Sequence, residues 1–214
     1  MGRDQMDRSV AGYILAGGKN TRMGGRKKLL LDYKGKSFYE WLKEGLGDTG
    51  AVYVSVEGRA LYECLDARLV TDIYKDAGPL GGILSGFKLC MEEALLVVPC
   101  DMVPVPEGLL KALLDTYRRT GRPVCPSAGG RPLPLPAVYV KGMLPAAKAL
   151  IGEGDYRLSR LWDAPGTEYE TVAADTISVA NVNTSEDYAM LEEEKDGHAR
   201  RGTRHSEKPC EENR

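Results

Sequence analysis

Histidine is nearly absent. The 214 residues include only His198 and His205, both in a polar stretch near the C-terminus, so the folded part is not expected to use an imidazole as general acid or base. The five cysteines, Cys64, Cys90, Cys100, Cys125 and Cys210, form no C-x-x-C pair, and their odd number leaves at least one unpaired. That pattern argues against both a zinc site and a disulfide framework. No apolar run approaches the roughly 18 residues of a membrane span. The N-terminal MGRDQMDRSV carries charges with no apolar stretch behind it, unlike a signal peptide. A cytoplasmic protein with no membrane partner is expected. Net charge is only −2 with 28% charged residues, which excludes a nucleic-acid surface built on bulk positive charge. Also missing are G-x-x-x-x-G-K-[ST] and G-x-G-x-x-G, so neither a P-loop nor a dinucleotide fingerprint is present.

The chain is organised around Tyr13–Asp32, YILAGGKNTRMGGRKKLLLD. Tyr13, Ile14, Leu15 and Ala16 form the short apolar run of a buried central strand. Gly17 and Gly18 follow, where bare backbone N–H groups can approach a ligand unobstructed by Cβ. Across residues 17–28 there are four glycines and five cations, Lys19, Arg22, Arg26, Lys27 and Lys28. This composition suits a triphosphate, held by backbone donors and neutralised by side chains. Taken alone it also fits an ordinary βα loop with a solvated cationic face.

Length predicts a single α/β domain, placed at residues 10–192, with an N-terminal extension over 1–9 and a disordered charged tail over 193–214. Along that domain, Leu29–Leu31 reads as a short strand. Ser37 and Glu40 have capping-box spacing for a helix through Trp41, Leu42 and Leu46 that ends at Gly47. Ala51–Val56 is a second central strand, Leu61–Leu65 a short helix, and Arg68–Thr71 a brief third strand. In DIYKDAGPLGGILSGF the glycines introduce a helix with Ile83, Leu84, Phe87 and Met91 at helical spacing, a position open to an anion or to close packing. Ala94–Pro99 is the most continuously apolar run and predicts a central parallel strand. It delivers Asp101 to the carboxyl edge of the sheet, where a carboxylate can hold Mg²⁺ on a phosphate or merely form a turn. Pro106 is expected in the first turn of a helix through Tyr117 that Gly121 closes.

Arg122–Pro126 reads as a strand. The prolines at 132, 134 and 136 mark an edge or extended segment leading to Ala137–Val140. Helices are expected over Leu144–Leu150 and near Leu158–Trp162, where Lys148, Arg157 and Arg160 are candidates for an acidic second substrate or simply a solvated face. Ile177–Ala180 is strand-like and leads into Asn181 and Asn183, ahead of a helix that Thr184 would cap.

Four strings in this order carry a resemblance: LAGG-x-x-x-RMGG followed by lysine, Asp72 with GPLGG, VVPCD, and NVNTSED. Together they resemble the MobA family of nucleotidyltransferases, the molybdenum cofactor guanylyltransferases, over residues 11–191. Lys27 stands where that family usually has an acid, and Lys28 aligns with its lysine. The resemblance implies a Rossmann-like α/β nucleotidyltransferase fold, with a mostly parallel sheet between helices on both faces. It also implies transfer of GMP from GTP to molybdopterin-type molybdenum cofactor, with Mg²⁺ on Asp101 and release of pyrophosphate. Arg22, Lys28 and Asp101 are then the catalytic candidates. Leu15, Ala16, Gly17, Gly18, Lys28, Asp72, Gly78, Asp101, Asn181 and Asn183 are the binding candidates. Apo-molybdoenzymes or their chaperones are possible partners. Three alternatives stay open: cytidylyl transfer, whose loop tends to read LAAG, another nucleotidyltransferase activity on the same fold, and a catalytically inactive nucleotide- or cofactor-binding partner protein. Gly17, lacking a methyl group, would leave more room for a purine.

Overall fold

A computed structural model of the chain describes residues 9–17, 27–174 and 186–190. In chain order it contains β1 (Val10–Leu15), the small hairpin β2 (Asp32–Tyr33) and β3 (Lys36–Ser37), α1 (Phe38–Gly45), β4 (Val52–Val56) and β5 (Arg68–Thr71). There follow α2 (Gly78–Leu89), β6 (Ala94–Pro99), α3 (Leu109–Thr120), β7 (Val124–Ala128), β8 (Arg131–Pro132) and β9 (Ala137–Val140). α4 (Leu144–Gly152), α5 (Leu158–Trp162) and β10 (Glu170–Ala173) come next, and residues 186–190 are helical.

One sheet runs in the order β10-β7-β9-β6-β1-β4-β5, with β8 added on β7. β5, β4, β1 and β6 are mutually parallel, whereas β9 lies antiparallel to both β6 and β7. β1 therefore has a parallel partner on each edge and all six of its residues are buried. Its side chains alternate between two apolar clusters. Val10, Ile14 and Ala16 join Leu42 and Leu46 from the α1 region and Leu110, Leu113 and Leu114 of α3 on one face. Ala11, Tyr13 and Leu15 join Leu80, Ile83 and Leu84 of α2, with α4 and α5, on the other. β6 divides likewise, Leu96 and Val98 to the first cluster and Leu95 and Val97 to the second. Being covered on both faces is why these strands read as unbroken apolar runs.

The expected sheet and helices are present, and the predicted capping box forms. Ser37 N–H donates to the Glu40 carboxylate at 2.6 Å, and Glu40 N–H donates back to Ser37 Oγ at 3.3 Å. Four local expectations need correction. Leu29–Leu31 is not a strand: Lys28–Leu30 is a 3-10 turn, because Leu29 turns inward to the core while Leu30 stays exposed. The helix expected over Leu61–Leu65 is a 3-10 turn at Arg59–Leu61. α3 begins after Pro106, at Leu109, because Gly108 with φ +74° sets its entry. Met91 lies beyond α2 and is 85% exposed. The expected strand at Ile177–Ala180 and the predicted termini lie outside the described residues. No helix among the described residues is long and apolar enough to cross a membrane.

α2 approaches β1 closely because glycine faces the sheet. A Cβ at Gly86 would sit 2.7 Å from the Tyr13 ring. Gly86→Ala should therefore cost about 1–3 kcal/mol, the usual result of overpacking. Gly152→Ala, at the end of α4 with nothing within 4 Å, should instead gain a little through helix propensity, up to about 1 kcal/mol. Denaturant melts of both variants decide it; a Gly86→Ala protein as stable as the parent contradicts the close approach.

Candidate active site

The parallel strands β1, β4, β5 and β6 end on one rim. Just past those ends, Ala16 N–H donates to the Ser55 carbonyl at 3.0 Å, Asp72 N–H to that of Val56 at 3.2 Å, and Cys100 N–H to that of Leu15 at 3.1 Å. The ladders thus run one step beyond the strands. They carry Gly17, Asp72 and Asp101 to the carboxyl edge, where open α/β sheets bind ligands.

On the α2 side of the rim is a cavity of about 600 Å³, lined by Gly17, Ser55, Glu57, Asp72, Gly78 and Pro79 among others. Ser55 is fully buried, and its hydroxyl donates to Asp72 Oδ1 at 2.5 Å. The carboxylate's other oxygen lies where a side chain at Gly17 would go: a Cβ there would be 2.8 Å from Asp72 Oδ2. The missing methyl at residue 17 thus makes room for the Asp72 carboxylate, and not directly for a purine. Burial raises the Asp72 pKa, the Ser55 hydrogen bond pulls it back down, and the negative charge of Glu57 raises it further. Gly78, with φ +55°, opens α2 in a conformation that favours glycine.

Beside this cavity, the Lys28 ammonium lies 3.5 Å from Asp101 Oδ2, with side chains 12% and 19% exposed. Lys28 comes from the 3-10 turn that ends the glycine loop, and Asp101 from the turn after β6. The thiol of the neighbouring Cys100 is pushed up to about 12 by burial and by Asp101, with Lys28 opposing, which disfavours the thiolate. The Lys27 ammonium lies over the Tyr62 ring, 5.9 Å from its centre. Among the described residues no three His, Cys, Asp or Glu side chains gather as a metal cluster. The Asp101 carboxylate, partly exposed and paired with Lys28, could serve as the one protein ligand of Mg²⁺, an ion that keeps most of its waters and takes other ligands from substrate phosphates.

The structure thus joins Leu15, Ala16, Gly17, Lys28, Asp72, Gly78 and Asp101 along one rim. Gly18, Arg22, Asn181 and Asn183 lie outside the described residues. The chain after Asn183 returns to the end of the glycine loop. There Tyr188 donates to the Asp32 carbonyl at 2.8 Å and its ring meets that of Phe38 edge-on. Arg157 and Arg160, candidates for an acidic substrate, both pair with Asp155, at 2.5 and 3.4 Å; Lys148 is exposed on α4. Several cavity residues, among them Ser55, Glu57, Tyr74, Lys75 and Asp76, were not among the candidates read from the sequence. Ser55 was visible as the lone hydroxyl in the apolar run AVYVSV. A larger groove of about 750 Å³ beside α4 and α5 is lined by Pro123 and Val140. Val140 pairs with Ala94, the first residue of β6, so this groove is at the opposite end of the strands from the site.

Residues 12–171 match the MobA-like NTP transferase domain. The molybdenum cofactor guanylyltransferase of Serratia proteamaculans is 30% identical over 193 residues, 89% of this chain and 98% of that protein. The protein of the same name from Cupriavidus metallidurans is 32% identical over 195 residues, 87% of this chain and 96% of its own. Among solved structures, molybdopterin-guanine dinucleotide biosynthesis protein A from Archaeoglobus fulgidus shares the fold, with a TM-score of 0.71 at 20% identity over 87% of this chain and 99% of that one. By the match across most of its length and the likeness of its relatives, the chain belongs to the family of MobA-like NTP transferase domains.

Proposed function

We propose that this protein is a molybdenum cofactor guanylyltransferase, transferring GMP from GTP to the terminal phosphate of molybdopterin-type molybdenum cofactor and releasing pyrophosphate. The observation that carries the choice of base is the Asp72 carboxylate, held by Ser55 on the wall of the cavity beside Glu57. Guanine presents two adjacent donors, N1–H and N2–H, to which a carboxylate is a matched acceptor. Cytosine presents one amino donor beside acceptors. Three acids, Glu57, Asp72 and Asp76, against one cation, Lys75, also line the cavity, a net negative wall that repels phosphate, so the base belongs in this cavity and the triphosphate towards Lys28.

The acceptor is already an anionic nucleophile, so the protein needs no strong base. Its work is alignment and neutralisation at the α-phosphate. Backbone donors at Gly17 and Gly18, with Arg22 and Lys28, would hold the triphosphate. Asp101 would hold Mg²⁺, which when bound offsets charge on the phosphates. Lys28, now beside Asp101, is within reach of the same oxygens. Asn181 and Asn183 would orient the acceptor.

GTP with Mg²⁺ should raise the melting temperature more than CTP does at equal concentration, since ligands that bind only the native state stabilise it. Equal shifts, or a larger one for CTP, count against guanine. Asp101→Asn should fold but turn over on the order of 10²–10³ times more slowly, the usual loss for one well-placed electrostatic contact; near-parental turnover in a stable variant removes Asp101 from the reaction. The raised pKa of Asp72 also has a consequence for stability. The native state there holds a proton more tightly than the unfolded chain, so the stability is fully present below the unfolded carboxylate range and is lost as pH rises through the native pKa. Asp72→Asn should melt higher than the parent at pH 7, and the gain should shrink as pH falls through the raised native pKa and be gone below the unfolded carboxylate pKa of about 4. A gain that persists undiminished in acid shows the carboxylate is not the cause.

A further inference from the structure

Between α2 and β1 the contact surface is short of side chains. A Cβ at Gly82 would come within 2.8 Å of Leu15 Cδ2 and 3.1 Å of Ser55 Oγ, and one at Gly86 would strike the Tyr13 ring. Such a face brings the helix close. At those two positions, between the packed Leu80, Ile83 and Leu84, no side chain interdigitates to fix the helix along the strand. Hydrogen bonds supply that fix. Tyr13 is fully buried, and its hydroxyl donates to the Gly82 carbonyl at 2.7 Å, using a lone pair that remains after the helix bond. One residue earlier in the helix, Ser85 Oγ donates to the Gly81 carbonyl at 2.7 Å and accepts from Ile73 N–H at 2.9 Å. The Tyr13 hydroxyl also approaches that of Ser55, and burial pushes its pKa above the usual phenol value. It is a donor throughout the working pH range.

We propose that Tyr13 is a positioning residue for nucleotide recognition: its hydroxyl pins the first turns of α2, and with them the Gly78–Gly82 wall of the cavity, in register with Gly17 and Asp72. Lys28 and Asp101 lie outside that cavity's lining. Releasing the pin therefore loosens the base site and leaves the phosphate side in place. The inference rests on the cavity being the base site.

Tyr13→Phe removes one oxygen and keeps the ring against Gly86. The Michaelis constant for GTP should rise about five- to tenfold, as for loss of one hydrogen bond's worth of order. Turnover at saturation should stay within about twofold, the split expected when only uniform binding is lost. Amide exchange across 78–82 should quicken. Tyr39→Phe is the control, since that hydroxyl donates to the Asp66 carbonyl beside α1; it should lose a similar amount of melting temperature and keep the parental Michaelis constant. The proposal is overturned if Tyr13→Phe keeps both parental exchange over 78–82 and parental GTP binding, if turnover falls in step with kcat/KM, or if Tyr39→Phe weakens GTP equally. A parent that binds no GTP instead removes the guanylyl reading, and exchange alone then decides whether Tyr13 pins the helix.

Discussion

A single backbone hydrogen bond, Cys100 N–H to the Leu15 carbonyl at 3.1 Å, joins the two halves of the site. It continues the β1–β6 ladder past the strands, so that Asp101 emerges beside the chain entering the glycine loop. On the other edge of β1 the bond from Ala16 to Ser55, and one strand further out the bond from Asp72 to Val56 between the ends of β5 and β4, do the same for the base cavity. Everything chemical therefore hangs from the end of one buried strand. β1 is held on both edges and both faces, which makes it the least deformable place in the fold for such a site.

Charge sorts the two halves. Asp72, Glu57 and Asp76 outnumber the one cation, Lys75, in the cavity lining and suit a donor-rich base edge, whereas Lys28 beside Asp101 suits phosphates and a hard cation. A nucleotide has the same polarity, a neutral base at one end and its anion at the other. The geometry thus sets the direction in which GTP would lie without any contact needing to be strong. Glycine makes the arrangement possible on the α2 side: at Gly17 it leaves space for a carboxylate, and at Gly82 and Gly86 it lets the helix close over the strand.

Much of this was legible in the chain because the central strands are buried on both faces, which turns them into apolar runs such as ALLVVP with an acid two residues after the end. The capping box at Ser37 and Glu40 was readable for the same kind of reason, since its hydrogen bonds are local. Short segments were misread where tertiary packing decides. Leu29–Leu31 has strand composition, yet Lys28–Leu30 winds into a 3-10 turn that buries Leu29 in the core. Ser55 was overlooked because its role depends on Asp72, seventeen residues away just past the end of a neighbouring strand. Gly17 was assigned to substrate space because a sequence does not show that a carboxylate from β5 already fills it.

Guanylyl transfer is tested most directly by following the label. With GTP labelled at the α-phosphate in one reaction and at the γ-phosphate in another, the reading predicts that α-label appears in the molybdenum cofactor product, only with Mg²⁺, while γ-label leaves as pyrophosphate. Release of γ-label as orthophosphate with no α-label on the cofactor, or more efficient labelling from CTP than from GTP, would contradict it.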